Sequence, residues 1–122
     1  MIDFACKQLD VREVIKCGLG LTRADLQVLE AMLARREWRT SSEIAAIAKL
    51  DLSTVQRSMK RLREKKAVER RQHNLNGGGY EYSYRIGERG ELRAQVLTTV
   101  KEWAGRVEGE LDRWCGAKTT KR

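Results

Sequence analysis

The chain has 122 residues, 41% hydrophobic and 34% charged, with a net charge of +8 at pH 7. That length suits one domain with its own core, and the regular recurrence of Leu, Ile and Val excludes a disordered chain despite the high charge. No apolar run reaches the ~18–20 residues of a membrane span, Met1–Cys6 lacks the basic and apolar regions of a secretory signal, and three cysteines without a CxxC pair speak against a disulfide scaffold or a zinc knuckle.

A soluble, cytoplasmic protein with no membrane partner is the expectation. The first helix is predicted behind Asp10, over Val11–Cys17, and ends at Gly18 and Gly20. Thr22, with Asp25 three residues on, opens a second helix whose Leu26, Leu29, Met32 and Leu33 follow the helical period. Thr40 and Glu43 form a T-x-x-E capping box for a third, apolar at Ile44, Ala45, Ile47 and Ala48. Asp51 then caps a helix from Leu52 to about Lys65.

Two strands follow. Val68–Asn74 alternates weakly, whereas Tyr80, Tyr82, Tyr84 and Ile86 alternate cleanly with polar residues. Asn76-Gly77-Gly78-Gly79 between them predicts an antiparallel hairpin. Trp38-Arg39-Thr40 is a candidate third, very short strand.

From Glu88 to Cys115 the pattern is helical again. Leu92, Val96, Val100, Trp103, Val107, Leu111 and Trp114 step by 4, 4, 3, 4, 4 and 3, one stripe on a straight helix of some seven turns. Such a stripe either packs on the N-terminal helix of its own chain or joins two copies. A domain this small has little core left to cover so long a helix, which favours a homodimer interface. Gly105 and Gly109 fall opposite the stripe, and a close neighbour there would offset their cost. The chain thus divides into an N-terminal helix (1–20), a core (21–87), a dimerisation helix (88–115) and a basic tail (116–122).

Positive charge concentrates in the middle: residues 51–87 hold nine basic and four acidic groups, a net of +5. On the helix from Leu52, the residues Leu52, Val55, Met59 and Leu62 make one buried stripe. Ser53, Thr54, Gln56, Arg57, Lys60, Arg61 and Arg63 then face outward, with no acid between Leu52 and Arg63. A merely solvated face would intersperse Glu and Asp. An α-helix fits the DNA major groove, where Arg and Gln bond base edges, and Ser and Thr near its start suit phosphate or base contacts. The hairpin matches: Arg70, Arg71, His73 and Arg85 flank a flexible tip with Asn76 and Gly77, fit to reach a phosphate or the minor groove. His73, the single histidine, has no companions at ligand spacing, so no metal site is expected.

Three helices and a hairpin, with a tight turn before the basic helix, make an α+β winged helix-turn-helix. Asp51-Leu52-Ser53-Thr54-Val55-Gln56-Arg57-Ser58-Met59-Lys60-Arg61-Leu62, followed by Glu64-Lys65-Lys66-Ala67-Val68-Glu69-Arg70-Arg71, resembles the winged-helix core of MarR-like and TrmB-like transcriptional regulators, archaeal members above all. The resemblance covers residues 20–87 and puts the long C-terminal helix where such regulators often dimerise. It implies that Ser53, Thr54, Gln56 and Arg57 lie at the groove and that the hairpin around Gly77 is the wing. One departure is Lys66, where the family usually has a glycine. This residue must adopt a left-handed conformation or the helix must end differently.

No Ser/His/Asp grouping, GxGxxG before a helix or HExxH is present, so neither an enzyme nor a cofactor is expected. A DNA-binding regulator leads. The alternatives are a winged-helix protein-interaction module of transcription or replication machinery and a binder of structured RNA. No pattern supports a small-molecule or redox effector. Cys17, between Ile15 and Leu19, reads as a small buried hydrophobe, and Cys6 and Cys115 lie near the chain ends.

Overall fold

A computed structural model describes residues 1–116; the tail expected over 116–122 lies, from residue 117, outside the described residues. The elements are β1 (Ile2–Phe4), β2 (Lys7–Leu9), α1 (Val11–Leu19), α2 (Arg23–Ala34), β3 (Arg39–Thr40), α3 (Ser41–Ala48), α4 (Leu52–Glu64), β4 (Val68–Asn74), β5 (Tyr80–Ile86) and α5 (Arg89–Trp114). Every helix read from capping chemistry is present, and each expected N-cap is in place. Asp10, Thr22, Thr40 and Asp51 all accept a first-turn N–H, and Thr22–Asp25 and Thr40–Glu43 are complete capping boxes.

The ends of α1, α3 and α4 rest on left-handed residues, while α2 ends at extended Arg35. Gly20 ends α1, so Gly18 lies inside that helix and does not terminate it. Lys49 ends α3 at φ +61°. At the end of α4, Lys66 takes φ +62° while Ala67 N–H donates to the Leu62 carbonyl at 2.8 Å, so the left-handed alternative is the one adopted. Gly87 N–H then donates to the Ala67 carbonyl at 2.8 Å. A Cβ on Gly87 would lie 2.9 Å from that oxygen, so the root of the hairpin needs a glycine there.

The strands form a three-stranded antiparallel sheet in the order β3-β5-β4, with Arg70 opposite Tyr84 and Asn74 opposite Tyr80. Burial along β5 runs from exposed Tyr80 at the tip to buried Tyr84 and Ile86 at the root. One core holds Val28, Leu29 and Met32 of α2, Ile44 of α3, Val55, Met59 and Leu62 of α4, and Tyr84 and Ile86 of β5. Leu52 departs from the expected stripe. It is 41% exposed, because the first residue of α4 projects beyond its neighbours, and Ser58 instead joins the buried face.

α1 packs on the first half of α5. Gly18 sets their distance: a Cβ there would lie 3.0 Å from Cγ1 of Val96. Arg12 pairs with Glu30 through two hydrogen bonds of 2.6 and 2.7 Å, tying α1 to α2. The expected α5 stripe therefore divides. Leu92 is buried and Val96 and Val100 half-buried, while Trp103 and Trp114 are 55% and 83% exposed. Gly105 and Gly109 have no neighbour within 4 Å among the described residues, so the offset expected for them does not come from their own chain. Cys17 is exposed and not buried, since Ile15, Gly18 and Leu19 form the inner side of α1. The β1–β2 hairpin had no sequence signal, because its turn, Ala5-Cys6, contains no Gly or Asn.

Gly18→Leu should force α1 and α5 apart and lower unfolding stability by about 1–3 kcal/mol. Gly105→Ala, in open space, should raise it by up to about 1 kcal/mol. Urea unfolding of both variants checks the contrast.

Candidate nucleic-acid interface

The turn at Lys49–Asp51 sets α4 across α3, and its basic face points away from the core. Ser53, Gln56, Arg57 and Lys60 are exposed, and Thr54 is half-buried. The Asp51 carboxylate organises the start of this face. It accepts the Ser53 hydroxyl at 2.5 Å, the Thr54 hydroxyl at 2.7 Å and the Thr54 N–H at 3.2 Å. These hydrogen bonds, that from Ser53 foremost, hold its pKa down to about 2, so it stays anionic. Both hydroxyl protons are thereby committed. The oxygens retain lone pairs, which suits acceptance from a base amine better than donation to a phosphate. Arg57 leans on Thr54, Nη2 to Oγ1 at 3.4 Å.

Arg61, its side chain partly exposed, is committed to another carboxylate. Its guanidinium turns inward to Asp25 of α2, with Nε 2.9 Å from Oδ2 and Nη2 2.8 Å from Oδ1. Position 61 lies one turn beyond buried Ser58, on the flank that adjoins α2. Asp25 is 0% exposed and also closes the α2 capping box, accepting the Thr22 N–H at 3.1 Å. Burial raises its pKa, but the lowering interactions, led by the Arg61 hydrogen bonds, outweigh that and leave it below the ordinary carboxylate value.

The wing holds its arginines by stacking. Arg70 lies 4.0 Å over the Tyr82 ring, on the tyrosine face of the hairpin. On the opposite face, Arg71 and Arg85 lie 4.5 and 4.6 Å from the Trp38 ring, and Arg85 also pairs with Glu69 at 2.8 Å. His73 Nε2 is 3.1 Å from Ser83 Oγ and 3.5 Å from Glu81 Oε1. Asn76 and Gly77 sit in the exposed tip, closed by Leu75 N–H donating to the Gly79 carbonyl. Positive φ falls on Gly78 and Gly79, not on Gly77. The expected residues therefore fall into two groups, the α4 face and the wing, with Arg61 withdrawn from both.

Sequence reasoning missed Trp38 as a platform and Asp25 as a partner. Both act across more than 30 residues of chain, where no periodicity reaches. The one available hint was Asp25 itself, an acid on the helix face that also carries Leu26 and Leu29.

Three core helices, a helix-turn-helix and a β-hairpin wing define a winged-helix protein. The MarR family model matches residues 19–77. The structure superposes with a TM-score of 0.82 on a possible transcriptional regulator from Methanosarcina mazei Go1, 46% identical, over 93% of this chain and 96% of that one. The ST1889 protein of Sulfolobus tokodaii is 28% identical, with a TM-score of 0.67 over 79% of this chain and 93% of that one. A mutant of Staphylococcus aureus MepR, bound to an oligodeoxyribonucleotide, is 13% identical and shares the fold, with a TM-score of 0.55 over 91% and 75% of the two chains. The chain is a MarR-like winged-helix protein, similar over nearly its whole length to a possible transcriptional regulator.

Asp25→Asn should lower stability at pH 7 by about 2 kcal/mol through loss of the charged hydrogen bonds. Because the folded-state pKa of Asp25 is depressed, its contribution is complete above the ordinary carboxylate value of about 4 and is lost as pH falls through the folded value. Urea unfolding between pH 7 and pH 3 should show an acid decline that is smaller in the Asn variant.

Proposed function

We propose that this protein is a dimeric regulator that reads double-stranded DNA in a sequence-specific way, with α4 in the major groove and the wing on the backbone or minor groove. The observation that carries this reading is the outer face of α4. Arg57 and Lys60 stand free of carboxylates among the described residues, beside Gln56 and the acceptor oxygens of Ser53 and Thr54. A helix so equipped can bond guanine and adenine edges, while Lys60 neutralises phosphate. The MepR complex with an oligodeoxyribonucleotide supports the reading, as a protein of the same fold that engages DNA. On the wing, Arg70 and Arg71 are the phosphate contacts, held by Tyr82 and Trp38. Arg85, paired with Glu69, supports Trp38, and His73, Asn76 and Gly77 line the approach to the tip.

Dimerisation follows from the length of a specific site. Two recognition helices about 34 Å apart read half-sites one helical turn apart, which a single small module cannot do. The exposed stretch of α5 from Trp103 to Trp114 supplies the surface, continuing the stripe begun by Leu92, Val96 and Val100.

Electrophoretic shift with the protein's own upstream region, a scrambled duplex and an RNA tests the ligand. The upstream duplex should bind tightest. Arg57→Ala should cost about 1–3 kcal/mol on that site and blur base preference, whereas Lys60→Ala should weaken specific and scrambled duplex alike. Equal losses for Arg57→Ala on both duplexes would refute base reading by Arg57.

Light scattering should give two chain masses at micromolar concentration. Replacing Trp103 and Val107 by Asp should give a monomer, or an unstable chain if the dimer is obligate.

A further inference from the structure

Among the described residues, the β1–β2 hairpin stands outside the core, with none of its side chains packed against it. Ile2 faces Leu9 and Phe4 faces Lys7 across the ladder, so Ile2, Phe4 and Leu9 share one side, while Asp3 and Gln8 are bonded to each other on the other. Every residue from Met1 to Leu9 is exposed, Phe4 to 62%. A two-stranded hairpin without packing is marginal in water. This one also turns through Ala5 at φ +53°, a left-handed conformation that is unfavourable for an L-residue. Its apolar side calls for a cover.

The proposed dimer leaves room for that cover. Trp103, Leu111 and Trp114 expose on the order of 400 Å² of apolar surface. A stable pair takes about 800 Å² from each partner, so α5 alone supplies about half. The hairpin, with Met1, Ile2, Phe4 and Leu9, offers a comparable amount. Charge agrees as well. The last turns of α5, residues 107–114, carry Glu108, Glu110 and Asp112 against Arg113, a locally acidic stretch. That stretch suits a surface bearing Lys7 beside Phe4.

We infer that the hairpin of each chain packs its Ile2–Phe4–Leu9 side on the Trp103–Trp114 end of α5 in a second copy, a reciprocal exchange that completes the dimer interface. The inference rests on the dimer proposed above and adds the element that closes it. In a two-fold pair the contact occurs twice, once in each direction.

Sedimentation equilibrium on the full chain tests it. Phe4→Asp should weaken the dimer roughly 100–10,000-fold, the scale of two buried aromatic side chains, one from each chain, and leave the monomer folded because Phe4 is not part of the core. Gln8→Thr, on the opposite side, should leave the dimer unchanged. Trp114→Asp should weaken it as Phe4→Asp does. Mixing the Phe4→Asp chain with the Trp114→Asp chain should then restore association, since one of the two contacts in the mixed pair keeps both native sides. A dimer that ignores Phe4→Asp, or a mixture no tighter than either variant alone, overturns the exchange and leaves an α5-only dimer standing. An unmodified protein that is monomeric at micromolar concentration removes both.

Discussion

A buried carboxylate joins the parts of this protein that must keep a fixed geometry. Asp25 closes the first turn of α2 and grips Arg61 of α4 with two oxygens, so the helix that supports the core and the helix that presents the basic face are bonded through one side chain. Taking a carboxylate out of water is expensive unless its lone pairs are filled, and here they are filled by a guanidinium and a backbone N–H. Apolar packing of Val55, Met59 and Leu62 brings α4 onto the core without direction. The bidentate pair adds direction, since a planar fork accepts little rotation.

The same logic governs the wing. An isolated hairpin carries little stability, so its arginines need supports of their own. Tyr82 holds Arg70 and Trp38 holds Arg71 and Arg85, which restricts the freedom of those long side chains. The root is fixed separately, by the left-handed Lys66 and by Gly87 against the Ala67 carbonyl. Sheet, helix and stacking aromatics together frame an exposed glycine tip.

α5 serves two surroundings in succession. Its first half closes the core beside Gly18 and Leu19, and its second half is mostly exposed among the described residues. One apolar period therefore runs from a packed environment into an open one. The helix has no reason to change its pattern along the way if, as proposed, a second copy buries its far half.

Much of this was legible from local chemistry. Capping residues at 10, 22, 40 and 51, the alternation of Tyr80 to Ile86 and the 3.67-residue step of α5 are all short-range signals, and each corresponds to an observed element. So was the acid-free run from Leu52 to Arg63, which marks the candidate face. What only the tertiary structure decided is which of these side chains remain available. Arg61 reads as another outward cation, yet Asp25, 36 residues away, claims it. Cys17 reads as buried, yet the inner side of α1 belongs to its neighbours. Leu52 reads as core and stands out in solvent. Periodicity specifies the faces of an element, because they follow from 3.6 or 2 residues per turn. Which partner each face meets depends on contacts between residues distant in the chain, and those exist only once the helices have packed.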